Sequence, residues 1–246
     1  MNSKKIILMM ISIIIVTLLS GCSITEDISF IERDNEEHIE VKEPVSDEIE
    51  TAVKLYSEVL DTYYTALHEK WNFQTLSYAS LSILSTYCYE GDPLTNVGYE
   101  FIDIDNNGVL ELLIGSLNGD PFVDKMIFDI YTIVDDQPAL VFTGWERNRY
   151  YLCEDYSIAN EGSSGASSSF YGIYNLDYTG YKLVLTEAVI YYEEYQGNDP
   201  PWYYTTDKDG DISNDMSITE EEAYDKLSEY KNMHKQVDLI PFAIYQ

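Results

Sequence analysis

The stretch that decides the fold is residues 98–116, GYEFIDIDNNGVLELLIGS. Two β-prone runs flank Asn107-Gly108, a dipeptide that suits both central positions of a type I′ turn and is the strongest short hairpin signal. The reading is one strand over 98–104, a tight turn, and an antiparallel strand over 109–116. From here onward the apolar period is two. Further strands are expected at 126–134, 139–144, 149–153, 170–176, 181–194 and 202–206, rich in Tyr, Ile, Val, Phe and Thr. Turn-forming residues separate many of them: Asp135 to Pro138, Glu154-Asp155, Asp177 to Gly180, with Asp209-Gly210 closing the last. Connections this short imply an antiparallel meander of about eight strands.

Upstream the period changes to that of a helix. Ile49, Val53, Tyr56, Leu60, Tyr63 and Leu67 step by three and four, with Asp47 and Glu48 at the positive end of the helix dipole. Leu76, Ala79 and Ile83 mark a second helix to about Tyr87, broken by Glu90-Gly91-Asp92-Pro93. Downstream, Thr219 and Glu222 form a capping box, with Ile218 and Ala223 set for a hydrophobic staple. That helix runs to about His234, and Leu239 to Phe242 return to the core. The expected class is α+β: N-terminal helices, the meander, a C-terminal helix, all in one domain over 47–246.

The N-terminal end reads as an address. Lys4 and Lys5 precede an uncharged apolar run from Ile6 to Leu19, and small residues lead into Cys22. This is the layout of a secretory signal over 1–21. Leu19-Ser20-Gly21-Cys22 resembles the lipobox of bacterial lipoproteins, which implies lipidation of Cys22 (palmitate among the chains) and a membrane partner reached through that lipid. Two or three acyl chains anchor firmly where one does not. Residues 22–46 are acidic and lack an apolar period, so they are expected to form an extended, disordered tether. The Ile, Asn, Lys and Tyr usage fits a Gram-positive source, which puts the domain on the outer, extracytoplasmic face of the cytoplasmic membrane.

The chain of 246 residues carries a formal charge of −30, and segment 1–21 holds two of its lysines and none of its acids. Without a basic cluster no nucleic acid is expected as a partner. Such a field attracts divalent cations and favours solubility. Cys88 and Cys153 either pair or remain free thiols, since sequence does not reveal their proximity.

One constellation carries chemistry. Asp103, Asp105, Asn107 and Glu111 occupy positions 1, 3, 5 and 9 of a loop with Gly108 at 6. Three carboxylates so close repel, and a hard cation relieves that repulsion; Ca²⁺ takes six to eight oxygens, so Asn107, the Val109 carbonyl and water are candidates to complete the shell. An EF-hand is excluded, because its position 12 requires glutamate and Ile114 stands there. The loop resembles the D-x-D-x-D-G-x-x-[DE] calcium loops of FG-GAP and VCBS-type repeats, with Asn107 in place of the usual aspartate. Phe101 to Gly115, Gly144 to Cys153 and Asn160 to Ala166 are similar to segments of uncharacterised Firmicutes lipoproteins, a resemblance that implies no particular activity. A plain Asn-Gly hairpin is the simpler reading of the same residues. Asp207, Asp209, Asp211 and Asp215 repeat the spacing, but their glycine falls at position 4, which favours an Asp-Gly hairpin.

Enzyme signatures are sparse, and the reading leans away from catalysis. His38, His68 and His234 stand in no recognisable motif, and Gly162 to Ala166 reads as a flexible loop. Arg147 and Arg149 share one side of a strand and are expected to pair with buried acids. Tyr191, Tyr192, Tyr195, Trp202, Tyr203 and Tyr204 cluster around Gly197 to Pro201; Tyr195, Trp202 and Tyr203 are the candidates for stacking on a glycan or peptide, against core packing for the group as a whole. The leading expectation is a lipid-anchored binding or structural domain with a structural Ca²⁺. The alternative is a cell-envelope hydrolase acting on glycan or peptide, with its carboxylates drawn from Glu146, Glu161 and Glu187.

Overall fold

The computed structural model describes residues 47–179, 181–193, 201–208, 215 and 217–245. The signal segment, Cys22, the tether, Tyr195, Asp209 and Asp211 lie outside them. The chain begins with α1 (Asp47–Leu55) and α2 (Ser57–His68), then α3 (Phe73–Tyr78), a 3₁₀ turn (Ile83–Cys88) and the single turn α4 (Pro93–Asn96). The strands follow: β1 (Val97–Ile102), β2 (Glu111–Ser116), β3 (Ile127–Val134), β4 (Gln137–Thr143), β5 (Asn148–Leu152), β6 (Ile158–Gly165), β7 (Ser168–Leu176), β8 (Leu183–Tyr192), β9 (Trp202–Thr205) and β10 (Ser217–Ile218). The terminal helix α5 (Glu220–Met233) and β11 (Ile240–Pro241) end the order. This is the expected α+β arrangement, with eleven described strands where about eight were read; the additional ones are β6, β10 and β11.

All strands pair antiparallel in one sheet, in the order β10-β9-β8-β7-β6-β5-β3-β2-β1-β11, with β4 also on β3. β4 pairs Asp129 to Val134 of β3, while β5 pairs only Ile127 on that strand. β4 and β5 therefore share the edge of β3 that β2 leaves free.

The helices gather in one core cluster with alternate sheet residues. Tyr56, Leu60, Tyr63 and Leu67 are fully buried there, with Leu112, Ile114 and Phe128 of the sheet, Ala223 and Tyr230 of α5, and Phe242. Each such side chain contributes about 1.5–3 kcal/mol by leaving water. The single helix read over 49–67 is interrupted at Tyr56 (φ −93°, ψ 5°), whose hydroxyl donates to the Leu110 carbonyl at 2.8 Å. On the opposite face Leu113, Ile127, Ile130, Phe142 and Leu152 form a second cluster with Val237 and Leu239, from the segment between α5 and β11. β2 is thus buried along its whole length.

β11 reaches the sheet through glycine. Gly98 faces Gly115 across β1–β2 and Pro241 across β1–β11. A Cβ at Gly98 would lie 2.7 Å from the Ile240 carbonyl oxygen, so a larger residue would push the C-terminal strand away. At α5 the capping box is complete: the Thr219 hydroxyl accepts from the Glu222 N–H at 3.2 Å, and Glu222 accepts from the Thr219 N–H at 2.8 Å.

Candidate metal centre

β1 ends at Ile102, and the chain turns through Asn106 (φ 59°) and Gly108 (φ 87°) before β2 starts at Glu111. Asn106 and Gly108 adopt the left-handed conformation that Asn and Gly tolerate best, but Asn107 between them does not, so the connection 103–110 is not the two-residue type I′ turn expected at Asn107-Gly108. Side chains tighten the turn. Asp103 accepts from the N–H groups of Asn107 (3.1 Å) and Gly108 (3.0 Å), and Asp105 accepts from the Asn107 N–H at 3.1 Å. The Asn107 side chain donates to Asp105 at 2.9 Å, and its carbonyl accepts from the Val109 N–H at 2.7 Å.

Glu111 belongs to the same group from the far side. It is the first residue of the fully buried β2 and is itself 0 % exposed. Its carboxylate accepts from the Ile104 N–H at 2.9 Å and from the Thr132 hydroxyl at 3.1 Å, across the β2–β3 pairing. One oxygen each of Asp103, Asp105 and Glu111 lie within 4.8 Å of one another. Burial, reinforced by the charges of Asp105 and Asp103, pushes the Glu111 carboxyl up to about 7; the hydrogen bonds from Ile104 and Thr132 oppose that rise. Asp105 is raised as well, by burial and then by Asp103, against its bonds from Asn107.

Three of the five expected metal residues therefore converge. The Asn107 side-chain oxygen accepts from the Val109 N–H and so already serves the turn. The donors that fit are hard carboxylate oxygens, a set that suits Ca²⁺ with water filling the remaining positions.

The loop walls two cavities. One, of about 610 Å³, lies between α1 and the loop, with Asp103, Gly108, Val109 and Leu110 in its lining. The other, of about 310 Å³, has Ile104, Asp105 and Asn106 on one side and Tyr156, Asn175 and Tyr178 on the other.

Of the aromatic candidates, Tyr195 lies outside the described residues, and the other two turn inward. Trp202 and Tyr203 are buried at 8 % and 4 % exposure: Trp202 packs on Tyr191 and Tyr224, and Tyr203 joins Leu185, Ala188 and Ile190. Among the exposed tyrosines, Tyr178 at 85 % and Tyr156 at 41 % stand beside the smaller cavity. Sequence reasoning missed them because they sit in turns, outside any aromatic run. The only signal was composition, an exposed-type loop carrying a large ring.

Two of the three acids considered for hydrolysis are engaged. Glu161 on β6 pairs with Arg149 at 2.9 Å, but it is half-buried where a buried acid was expected; the guanidinium also lies 5.5 Å over the Phe122 ring. Glu187 on β8 accepts a short hydrogen bond from the Tyr204 hydroxyl and stands 4.0 Å from Lys226. β7 separates these two carboxylates. Arg147 is exposed. Gly162 to Gly165 belong to β6, not to a flexible loop, and pair with β7. Cys88 and Cys153 are buried free thiols.

A second buried carboxylate went unread. Asp129 on β3 is 0 % exposed and accepts from the Tyr63 hydroxyl of α2 through a very short bond and from the Ser82 N–H at 3.0 Å. Its other oxygen lacks a well-formed bond, although the Thr143 hydroxyl, cross-strand on β4, interacts with the carboxyl. Burial lifts Asp129 to about 6, and its hydrogen-bond donors only partly counter this. Comparison with protein-family models, curated proteins and solved structures finds no match to this chain.

Proposed function

We propose that the chain is a lipid-anchored binding domain on the outer face of the cytoplasmic membrane, with a structural Ca²⁺ in the β1–β2 loop. The observation that carries the metal reading is the convergence of Asp103 and Asp105 with the fully buried Glu111. An ionised carboxylate inside a sheet needs a compensating charge, and the loop spacing supplies ligands for one. The ion would fix the wall shared by both cavities, so metal and ligand binding would be coupled through one turn.

The test is thermal melting of chelator-stripped protein titrated with Ca²⁺. With a Kd on the order of 10⁻⁴–10⁻³ M, about 5 mM Ca²⁺ stabilises the fold by roughly 1–2 kcal/mol, a rise of about 3–7 °C. Mg²⁺ should act less, because it demands tighter octahedral geometry and sheds water reluctantly. Asp105→Ala should abolish the shift and Asp207→Ala should keep it. An unchanged melting temperature would leave a turn closed by its own hydrogen bonds. For the anchor, Cys22→Ala should accumulate as unprocessed precursor without lipid label; normal processing and labelling of that variant would refute it.

A further inference from the structure

We propose that the larger cavity binds a linear aliphatic polyamine. Its volume of about 610 Å³ falls within the range of small-molecule sites, roughly 300–1,000 Å³. Four carboxylates line it from three separate elements: Asp47 and Glu48 from the first turn of α1, Asp103 from the β1–β2 loop, and Asp136 from the β3–β4 turn. Among the described residues no lysine, arginine or histidine lines it. Between the acids lies an apolar floor of Ala52, Leu55, Val109, Leu110 and Ile133.

This pattern selects its occupant. An anion is repelled on every side. A compact metal ion satisfies the carboxylates of one element and leaves the floor wet. A neutral apolar ligand leaves the acids without counter-charge. A chain of methylenes carrying two or three ammonium groups meets both requirements: the methylenes cover the floor at about 0.8 kcal/mol each when fully buried, and each ammonium donates to a rim carboxylate. The Thr51 hydroxyl in the lining offers one more acceptor.

The experiment is calorimetric titration of the full chain with spermidine, with chelator present so that the result does not depend on the Ca²⁺ reading. Hexaamminecobalt(III), a trication without an alkyl chain, is the comparison. Spermidine should bind measurably more tightly. Asp136→Asn should weaken it about 2–5-fold, while Asp207→Asn, far from the lining, should leave it unchanged. Ile133→Ser and, independently, Val109→Ser should weaken spermidine about 5-fold and leave hexaamminecobalt(III) alone, with melting curves confirming that each variant is folded. Equal affinity for the two cations, or silent floor variants, would reduce the effect to the general field of an acidic chain and overturn the proposal. So would absence of spermidine binding up to about millimolar concentration, the weak limit of useful affinity. A missing Ca²⁺ melting shift with spermidine binding intact would sink the metal reading and leave this one standing.

Discussion

Asp129→Asn should flatten the pH dependence of stability without altering the fold. Asp129 joins the two layers: it hangs from β3 and receives Tyr63 of α2 and the backbone of Ser82. A β-bulge between Ile114 and Gly115 of β2 shifts the register here, and the acid faces the helices. Its carboxyl is raised from 3.8 to about 6, with burial as the main cause. The folded chain therefore holds this proton more tightly than the unfolded chain. The resulting stabilisation is fully present below about pH 4 and is lost as the pH rises through about 6. Two units correspond to about 3 kcal/mol over the whole window. The sequence pI of about 4.1 makes the lower half hard to reach in solution. Between about pH 5 and pH 8 the loss is still about 1.4 kcal/mol, or roughly 3–6 °C in melting temperature.

The asparagine carbonyl can accept from Tyr63 and Ser82, and its NH₂ group can turn one proton to the Thr143 hydroxyl. The second proton stays unpaired at a cost of about 1–3 kcal/mol that does not change with pH. The informative quantity is therefore the wild-type minus variant difference, measured by urea unfolding at several pH values with equal slopes. It should shrink by about 1.4 kcal/mol from about pH 5 to pH 8. Parallel curves would mean that the carboxyl is ionised throughout, and would refute the argument.

Gly98→Ala should cost about 1–3 kcal/mol and expose the C-terminal segment to protease first, because the added methyl meets the Ile240 carbonyl at 2.7 Å; a neutral result would show that β11 is not held by this contact. Thr219→Ala removes one half of the α5 capping box and should lower stability by about 1 kcal/mol in equilibrium unfolding, whereas Ser57→Ala, whose hydroxyl only donates to the Lys54 carbonyl at 3.0 Å on the exposed surface, should change it by less than about 0.5 kcal/mol.

What the sequence revealed follows physical locality. The stripe from Ile49 to Leu67 and the Thr219 box are each specified by residues within a few positions of one another, and both occur in the structure; β1 and β2 pair as read, but through the loop 103–110 and not the two-residue turn expected at Asn107-Gly108. β6 is specified from elsewhere. Ile158–Gly165 holds two glycines and two serines, poor strand formers, yet β5 and β7 offer a ladder on each side and Arg149 receives Glu161. Neighbouring strands override weak propensity there. The two-residue strands β10 and β11 have no period to detect. The aromatic cluster failed for a related reason: stacking and core packing draw on the same residues, and only β8–β9 pairing with α5 above decides that Trp202 turns inward.

Asp129 did leave a mark in the sequence. It is the one charge within the run from Met126 to Val134, on a strand whose neighbours are apolar on both sides. A carboxylate there must find partners or take up a proton. Glu111 carries the same signature, opening the apolar run to Gly115, yet the two acids meet different answers. Asp129 is met by a tyrosine and an amide and stays part of the architecture. Glu111 is likewise met by an amide and a hydroxyl, but two further carboxylates stand beside it, an arrangement that costs stability unless a cation completes it. That contrast, between a buried acid with donors alone and a buried acid whose donors are joined by rival carboxylates, is the physical ground for proposing a functional role at the β1–β2 loop and a structural one at the β3 node.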